Sequence, residues 1–142
     1  MEDTKPTINV LAVSAAAEDQ VSLRAIFTHS RWRLSEAASC ADAISLLTAD
    51  PVPILIVNAI LPDATWRDLL TRVSALPNPP LLIVASHLAD DQLWAEALNL
   101  GAHDVLHKPF RAREVFQSVS MAWRRWNDLS AGAHSSAMFA VG

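Results

Sequence analysis

The chain has 142 residues, 51% hydrophobic and 18% charged, with a net charge of −4. That composition excludes a disordered chain, and the acidic balance excludes a general attraction to nucleic acid or to an anionic membrane surface. One cysteine rules out an internal disulfide, and three glycines leave no material for a glycine-rich phosphate loop.

Residues 1–7 are polar and are expected to be loose; they lack the basic and apolar blocks of a signal peptide. Ile8 to Val13 reads as a short buried strand. Ser14 to Asp19 reads as a loop of small residues, with Asp19 as the N-cap of a helix running to about Ser30. Trp32 to Glu36 reads as an edge-like strand, and Cys40 to Ala49 as a helix with Cys40 as a small buried residue. Asp50-Pro51-Val52-Pro53 stops that helix and leads into Ile54-Leu55-Ile56-Val57-Asn58. This near-continuous apolar run has the signature of a strand buried on both faces, ending abruptly in one polar side chain.

A helix follows from about Thr65 to Leu76, with Trp66, Leu69, Leu70, Val73 and Leu76 on one face. Pro77-Asn78-Pro79-Pro80 is a hard stop before a fourth strand, Leu81 to Ala85, which leads to Ser86. A helix from Asp90 or Asp91 to Leu100 finds a C′ residue in Gly101. Asp104 to Leu106 is a fifth strand, followed by Lys108-Pro109-Phe110. The last helix is expected from about Ala112 to Asp128, with Val115, Phe116, Val119, Ala122, Trp123 and Trp126 as its apolar stripe. The domain is read as residues 1–130, and 131–142 as a flexible tail. No run approaches the ~20 apolar residues of a membrane span, and the single cysteine fits a reducing cytosol.

Five βα repeats with short connections require parallel strands joined by right-handed crossovers. The expected fold is a flavodoxin-like, doubly wound α/β domain with strand order 2-1-3-4-5. Functional groups in such a sheet belong beyond the carboxyl ends of the strands. Asn58 stands there.

The chain resembles the receiver domains of two-component response regulators, from about residue 8 to residue 128. The resemblance rests on Asn58 with Pro62 four residues on, Ser86 ending strand four, Gly101-Ala102-His103-Asp104 before strand five, and Lys108-Pro109-Phe110 after it. It implies an aspartyl phosphoacceptor at the end of strand three. It also implies an acidic pair ending strand one that holds Mg²⁺, and a Ser/Thr and a lysine on the phosphoryl oxygens. Here the acceptor position is Asn58, and the acidic pair aligns with Ser14 and Ala15. Ser86, Lys108 and Pro109 remain. The family's aromatic switch position is Val105.

The favoured expectation is a pseudo-receiver that has lost the Mg²⁺ site and phosphorylation, is not an enzyme, and acts by protein contact in a phosphorelay-type pathway. Two alternatives stay open: a receiver still switched by phosphorylation or an anion through an unusual site, and a small flavodoxin-like ligand-binding domain. A metal site from Glu18, Asp19 and Asp63 is disfavoured, and His87, His103 and His107 are read as surface histidines. Lys108 is expected to find water, the Asn58 amide, a backbone carbonyl, Glu18 or Asp63, since an unpaired buried ammonium is costly. The resemblance also implies a homodimer or partner contact through the face of helix four, strand five and helix five. Trp94, Arg111, Arg113, Trp123 and Arg124 are its candidate residues, because Trp and Arg dominate interface energetics.

Overall fold

The computed structural model describes residues 7–141, with side chains through residue 130. Five strands alternate with five helices: β1 (Asn9–Val13), α1 (Ala17–Thr28), β2 (Arg33–Ala37), α2 (Cys40–Ala49), β3 (Ile54–Asn58), α3 (Trp66–Ser74), β4 (Leu81–Ser86), α4 (Asp91–Leu100), β5 (Asp104–His107) and α5 (Ala112–Val141). All neighbouring strands are parallel, in the order β2-β1-β3-β4-β5. This is the expected flavodoxin-like architecture.

The period of two along each strand divides the core into two layers. Leu55 and Val57 of β3 join Leu11, Val13, Leu82 and Val84 beneath α2 and α3. Ile54 and Ile56 join Val10, Ala12, Ile83 and Ala85 beneath α1 and α5, with Leu23, Phe27, Val115 and Val119. An unbroken apolar run is therefore what a central strand covered on both faces demands. Asn58 continues the parity of Ile54 and Ile56, and Ser14 continues that of Val10 and Ala12. Both polar residues thus lie on the α1 side of the sheet, at its carboxyl edge.

Helix α3 carries the expected stripe. Trp66, Leu69, Leu70 and Val73 are buried, and Leu76 packs at the margin. A capping box between Thr65 and Asp68 fixes its start. Gly101 ends α4 with φ at 107°, a left-handed position suited to glycine.

Two boundaries differ from expectation. Helix α1 begins at Ala17, with Ala16 as N-cap, so Asp19 lies inside its first turn. The reason is local: the Ala16 N–H donates to Ser14 Oγ (3.1 Å), which turns the chain into the helix three residues early. Helix α5 does not stop near Asp128 but continues to Val141. Residues 129–141 contain no proline, and Gly132 does not end the helix. The looseness expected for the N-terminus falls mainly on residues outside those described, as do the side chains of 131–142.

Candidate functional site: a closed polar cluster at the carboxyl edge of the sheet

At the carboxyl edge, β1, β3 and β5 deliver Ser14, Asn58 and Lys108 to one place. Lys108 follows β5, ahead of a cis peptide to Pro109. Its Nζ donates to Asn58 Oδ1 at 2.8 Å and to Asp19 Oδ2 at 2.8 Å. Ser14 Oγ donates to the same Asp19 oxygen at 2.7 Å. Asn58 Nδ2 donates to the Ile60 carbonyl at 3.0 Å, which fixes the amide with its oxygen toward Lys108.

Asp19 reaches this point because side chains on a helix tilt toward its N-terminus. From the first turn of α1 its carboxylate leans back over the end of β1. The partial positive charge of the helix N-terminus favours an anion there. Asp19 is 4% exposed and Lys108 5%. A buried ion pair of this kind survives only when further hydrogen bonds satisfy both partners. Ser14 and Asn58 supply those bonds.

Of these two partners of Lys108, the Asn58 amide is among those expected and Asp19 is not. Asp19 is neither a helix cap nor a member of a strand-end acidic pair. It is a carboxylate supplied from a helix to the pocket of a strand-end lysine. The sequence signal was an acid five residues past Ser14, legible only once the helix start is known.

The other predicted site residues separate. The Ser86 carbonyl accepts from the Lys108 N–H (3.0 Å), while Ser86 Oγ accepts from Leu88 N–H (3.0 Å) in a local turn. Ala15 is exposed and contributes no ligand oxygen from its side chain. Asp63 turns away from the cluster. Its carboxylate accepts from the Cys40 and Ala41 N–H groups, at 2.9 and 3.0 Å, at the start of α2. Glu18 is exposed. Among the described residues no three acids, histidines or cysteines converge as a metal site. His103 is half-buried rather than a surface residue. Burial holds its imidazole below the usual range, against the opposing charge of Asp104. His87 and His107 are exposed.

The Mg²⁺ that the resemblance implies does not fit this donor set. The one carboxylate in the cluster already faces an ammonium, and the remaining side chains offer a hydroxyl that donates to it and an amide oxygen. A hard divalent cation takes carboxylates and water in preference to such neutral groups.

The bonds from Cys40 and Ala41 hold the Asp63 carboxyl below the usual carboxylate range, with help from the Arg72 charge. A depressed folded value stabilises the protein above the unfolded value near ~3.9, and that contribution is lost as pH falls through the folded value. Asp63→Ala is therefore expected to lower the thermal midpoint at pH 7, by an amount that shrinks in acid. A difference independent of pH would place the loss outside these contacts.

On the opposite flank, Val105 is buried in the core layer that also holds Ala97 of α4, while Trp94 is 40% exposed. Arg111, Arg113 and Arg124 are exposed. Trp123 is half-buried and stacks on Trp126 with ring centroids 5.7 Å apart. The helix-five tryptophans thus serve packing as well as any outer contact.

Comparison with known proteins agrees with this architecture. Residues 10–120 match the response regulator receiver domain family. The two-component response regulator ORR11 of Oryza sativa subsp. indica is 32% identical over 116 residues, covering 79% of this chain and 78% of that protein. ORR6 of Oryza sativa subsp. japonica is 29% identical over 125 residues, covering 84% and 73%. Among solved structures, the signal receiver domain of a putative LuxO repressor protein from Vibrio parahaemolyticus superposes with a TM-score of 0.81 at 21% identity, covering 89% of this chain and 97% of that one. The receiver domain of an HD domain-containing protein from Pseudomonas fluorescens Pf-5 gives 0.77 at 23% identity, covering 87% and 99%. By its matched sequence and by its relatives, the chain belongs to the response regulator receiver domain family.

Proposed function

We propose that this chain is a receiver-like module of a two-component pathway that acts by protein contact and does not accept a phosphoryl group. The observation that carries the reading is the Asp19–Lys108 pair closed by Ser14 and Asn58. Phosphoryl transfer to a receiver needs an anionic nucleophile and a cation that neutralises the phosphoryl oxygens. Asn58 offers a neutral amide whose nitrogen is bound to a carbonyl. Lys108, the cation left to meet a phosphoryl group, is committed to a resident carboxylate. The module needs no catalysis of its own and no metal, and its place is the cytosol, where the lone buried Cys40 stays reduced. Among the described residues no helix is long and apolar enough to cross a membrane.

Amide NMR titration with Mg²⁺, then with beryllofluoride as a phosphoryl mimic, tests this. The expected result is no saturable shift at Asn58, Ser86 or Lys108. One observation favours the alternative of an unusual site: the Asp19 carboxylate does lie in the pocket. Saturable Mg²⁺ shifts centred on Asp19 would establish that alternative and overturn the proposal.

Asn58→Asp alone is expected to remain unlabelled by acetyl phosphate with Mg²⁺. The new carboxylate would meet the Lys108 ammonium already shared with Asp19, and Ser14 and Ala15 would still supply no metal carboxylate. Stable Mg²⁺-dependent labelling of that variant would show that Asp19 is enough to hold the metal.

A further inference from the structure

Five of the chain's eight prolines stand in two short segments, Pro51-Val52-Pro53 and Pro77-Asn78-Pro79-Pro80. Neither has a part in the polar cluster. The first precedes β3 and the second precedes β4, so both lie at the amino edge of the sheet, the opposite end of β3 from Asn58. The Leu81 N–H donates to the Pro53 carbonyl at 2.8 Å and ties the two segments together. Between them and the ends of α2 and α3 is a cavity of about 240 Å³. Leu47, Val52 and Pro80 line it as buried residues, and Pro51 and Pro77 as exposed ones. Among the described residues that line it, none is charged. Two polar side chains complete the lining. Thr48 Oγ1 donates to the Ile44 carbonyl at 2.8 Å and keeps its lone pairs free to accept. The Asn78 side-chain amide makes no hydrogen bond among the described residues.

We propose that this cavity binds a small neutral aromatic molecule of one or two fused rings that carries one N–H or O–H donor. Size sets the number of rings. An apolar cavity of about 150 Å³ holds benzene, and pockets for drug-sized ligands begin near ~300 Å³. Charge sets neutrality. Helices α2 and α3 both end at the cavity, and a helix C-terminus carries partial negative charge, which disfavours an anion. The last turn of α2 has no basic residue to offset it. A cation would find no carboxylate on the walls. The Thr48 and Asn78 oxygens accept, so the ligand donates. Proline rings and aromatic faces are complementary surfaces, as where aromatic grooves take proline-rich segments. Here the prolines stand on the protein side. Their fixed φ also holds the walls in place before binding, which lowers the ordering cost.

This site lies apart from the Asp19 cluster, and its test is separate from the Mg²⁺ and beryllofluoride titration. The full chain is titrated with indole and followed by amide NMR. Saturable shifts are expected at Leu47, Thr48, Val52, Leu76 and Asn78, with a dissociation constant of about 1 mM or below, the range of a fragment-sized ligand. Cyclohexanol lacks the aromatic face and indole-3-carboxylate adds a negative charge, so both should bind more weakly. Asn78→Ala should weaken indole about fivefold, the size of one net hydrogen bond. Thr48→Trp sets a bulky ring over the cavity and should abolish the shifts. Both positions are exposed, so the fold is retained.

Silence with indole, equal affinity for cyclohexanol or indole-3-carboxylate, unchanged affinity in Asn78→Ala, or shifts that persist in Thr48→Trp would overturn the proposal. N-acetyltryptophanamide binding more tightly than indole would give the cavity to an aromatic side chain of a protein. That result removes a small molecule as the occupant.

Discussion

Asp19→Ala is expected to destabilise the domain by about 3–5 kcal/mol, the range for removing one partner of a buried ion pair. The loss does not measure the attraction of the pair. It measures what remains: the Lys108 ammonium, 5% exposed, with the Asn58 amide as its one side-chain acceptor. Ser14 Oγ loses its acceptor at the same time. Urea unfolding of parent and variant reads the difference as a lower midpoint with an unchanged slope. The double variant Asp19→Leu/Lys108→Met is expected to recover most of the loss, because both charges then leave the interior together. A single-variant loss below about 1 kcal/mol would be the size of an exposed pair. It would mean that Lys108 swings out to water, and the pocket would not be closed in the sense used above.

Trp66→Ala is expected to cost about 3–5 kcal/mol, the usual range for a buried aromatic. Trp66 is 1% exposed and is the largest fully buried side chain among the described residues. Its backbone N–H donates to the Ala59 carbonyl at 3.0 Å, just past β3, which fixes the first turn of α3 against the end of that strand. The Arg67 guanidinium lies 4.9 Å from the ring centroid. The matched control is Trp94→Ala, a tryptophan on the next helix with 40% of its surface in water. Its truncation removes little buried area and should cost less than about 1 kcal/mol. Thermal or urea unfolding of the two variants side by side settles the comparison. Equal losses would show that Trp94 packs into the core.

Element identity was legible because it depends on short-range pattern. The run from Ile54 to Val57 excludes a half-exposed strand, and the spacing of Trp66, Leu69, Leu70 and Val73 has the helical period. Prolines at 51, 53, 77, 79 and 80 cut the chain where the structure cuts it. Boundaries were less legible. The start of α1 depends on one side-chain contact, from Ala16 to Ser14, that no propensity reports. The continuation of α5 past Asp128 runs through Gly132, which a reading of local signals takes as a possible stop.

The site divides in the same way. Asn58 could be placed from sequence because it ends an apolar run of strand length, and Ser86 and Lys108 through the resemblance, each at the carboxyl end of a parallel strand. The direction of Asp63 could not be read. It is adjacent to Pro62 in sequence, yet it caps α2 through Cys40 and Ala41, which lie more than twenty residues earlier.

The sequence by itself determined the five βα units, the sheet that they must form, and an amide in place of a carboxylate at the end of β3. Only the tertiary structure decided what faces Lys108. Asp19 and Lys108 stand 89 residues apart and carry no local sign of each other. They meet because β1 and β5 end at the same edge of one sheet and because a helix beginning at Ala17 tilts its third residue back toward that edge. A buried ammonium requires a counter-charge, but which of the nearby acids supplies it is fixed by a helix start and a sheet order together.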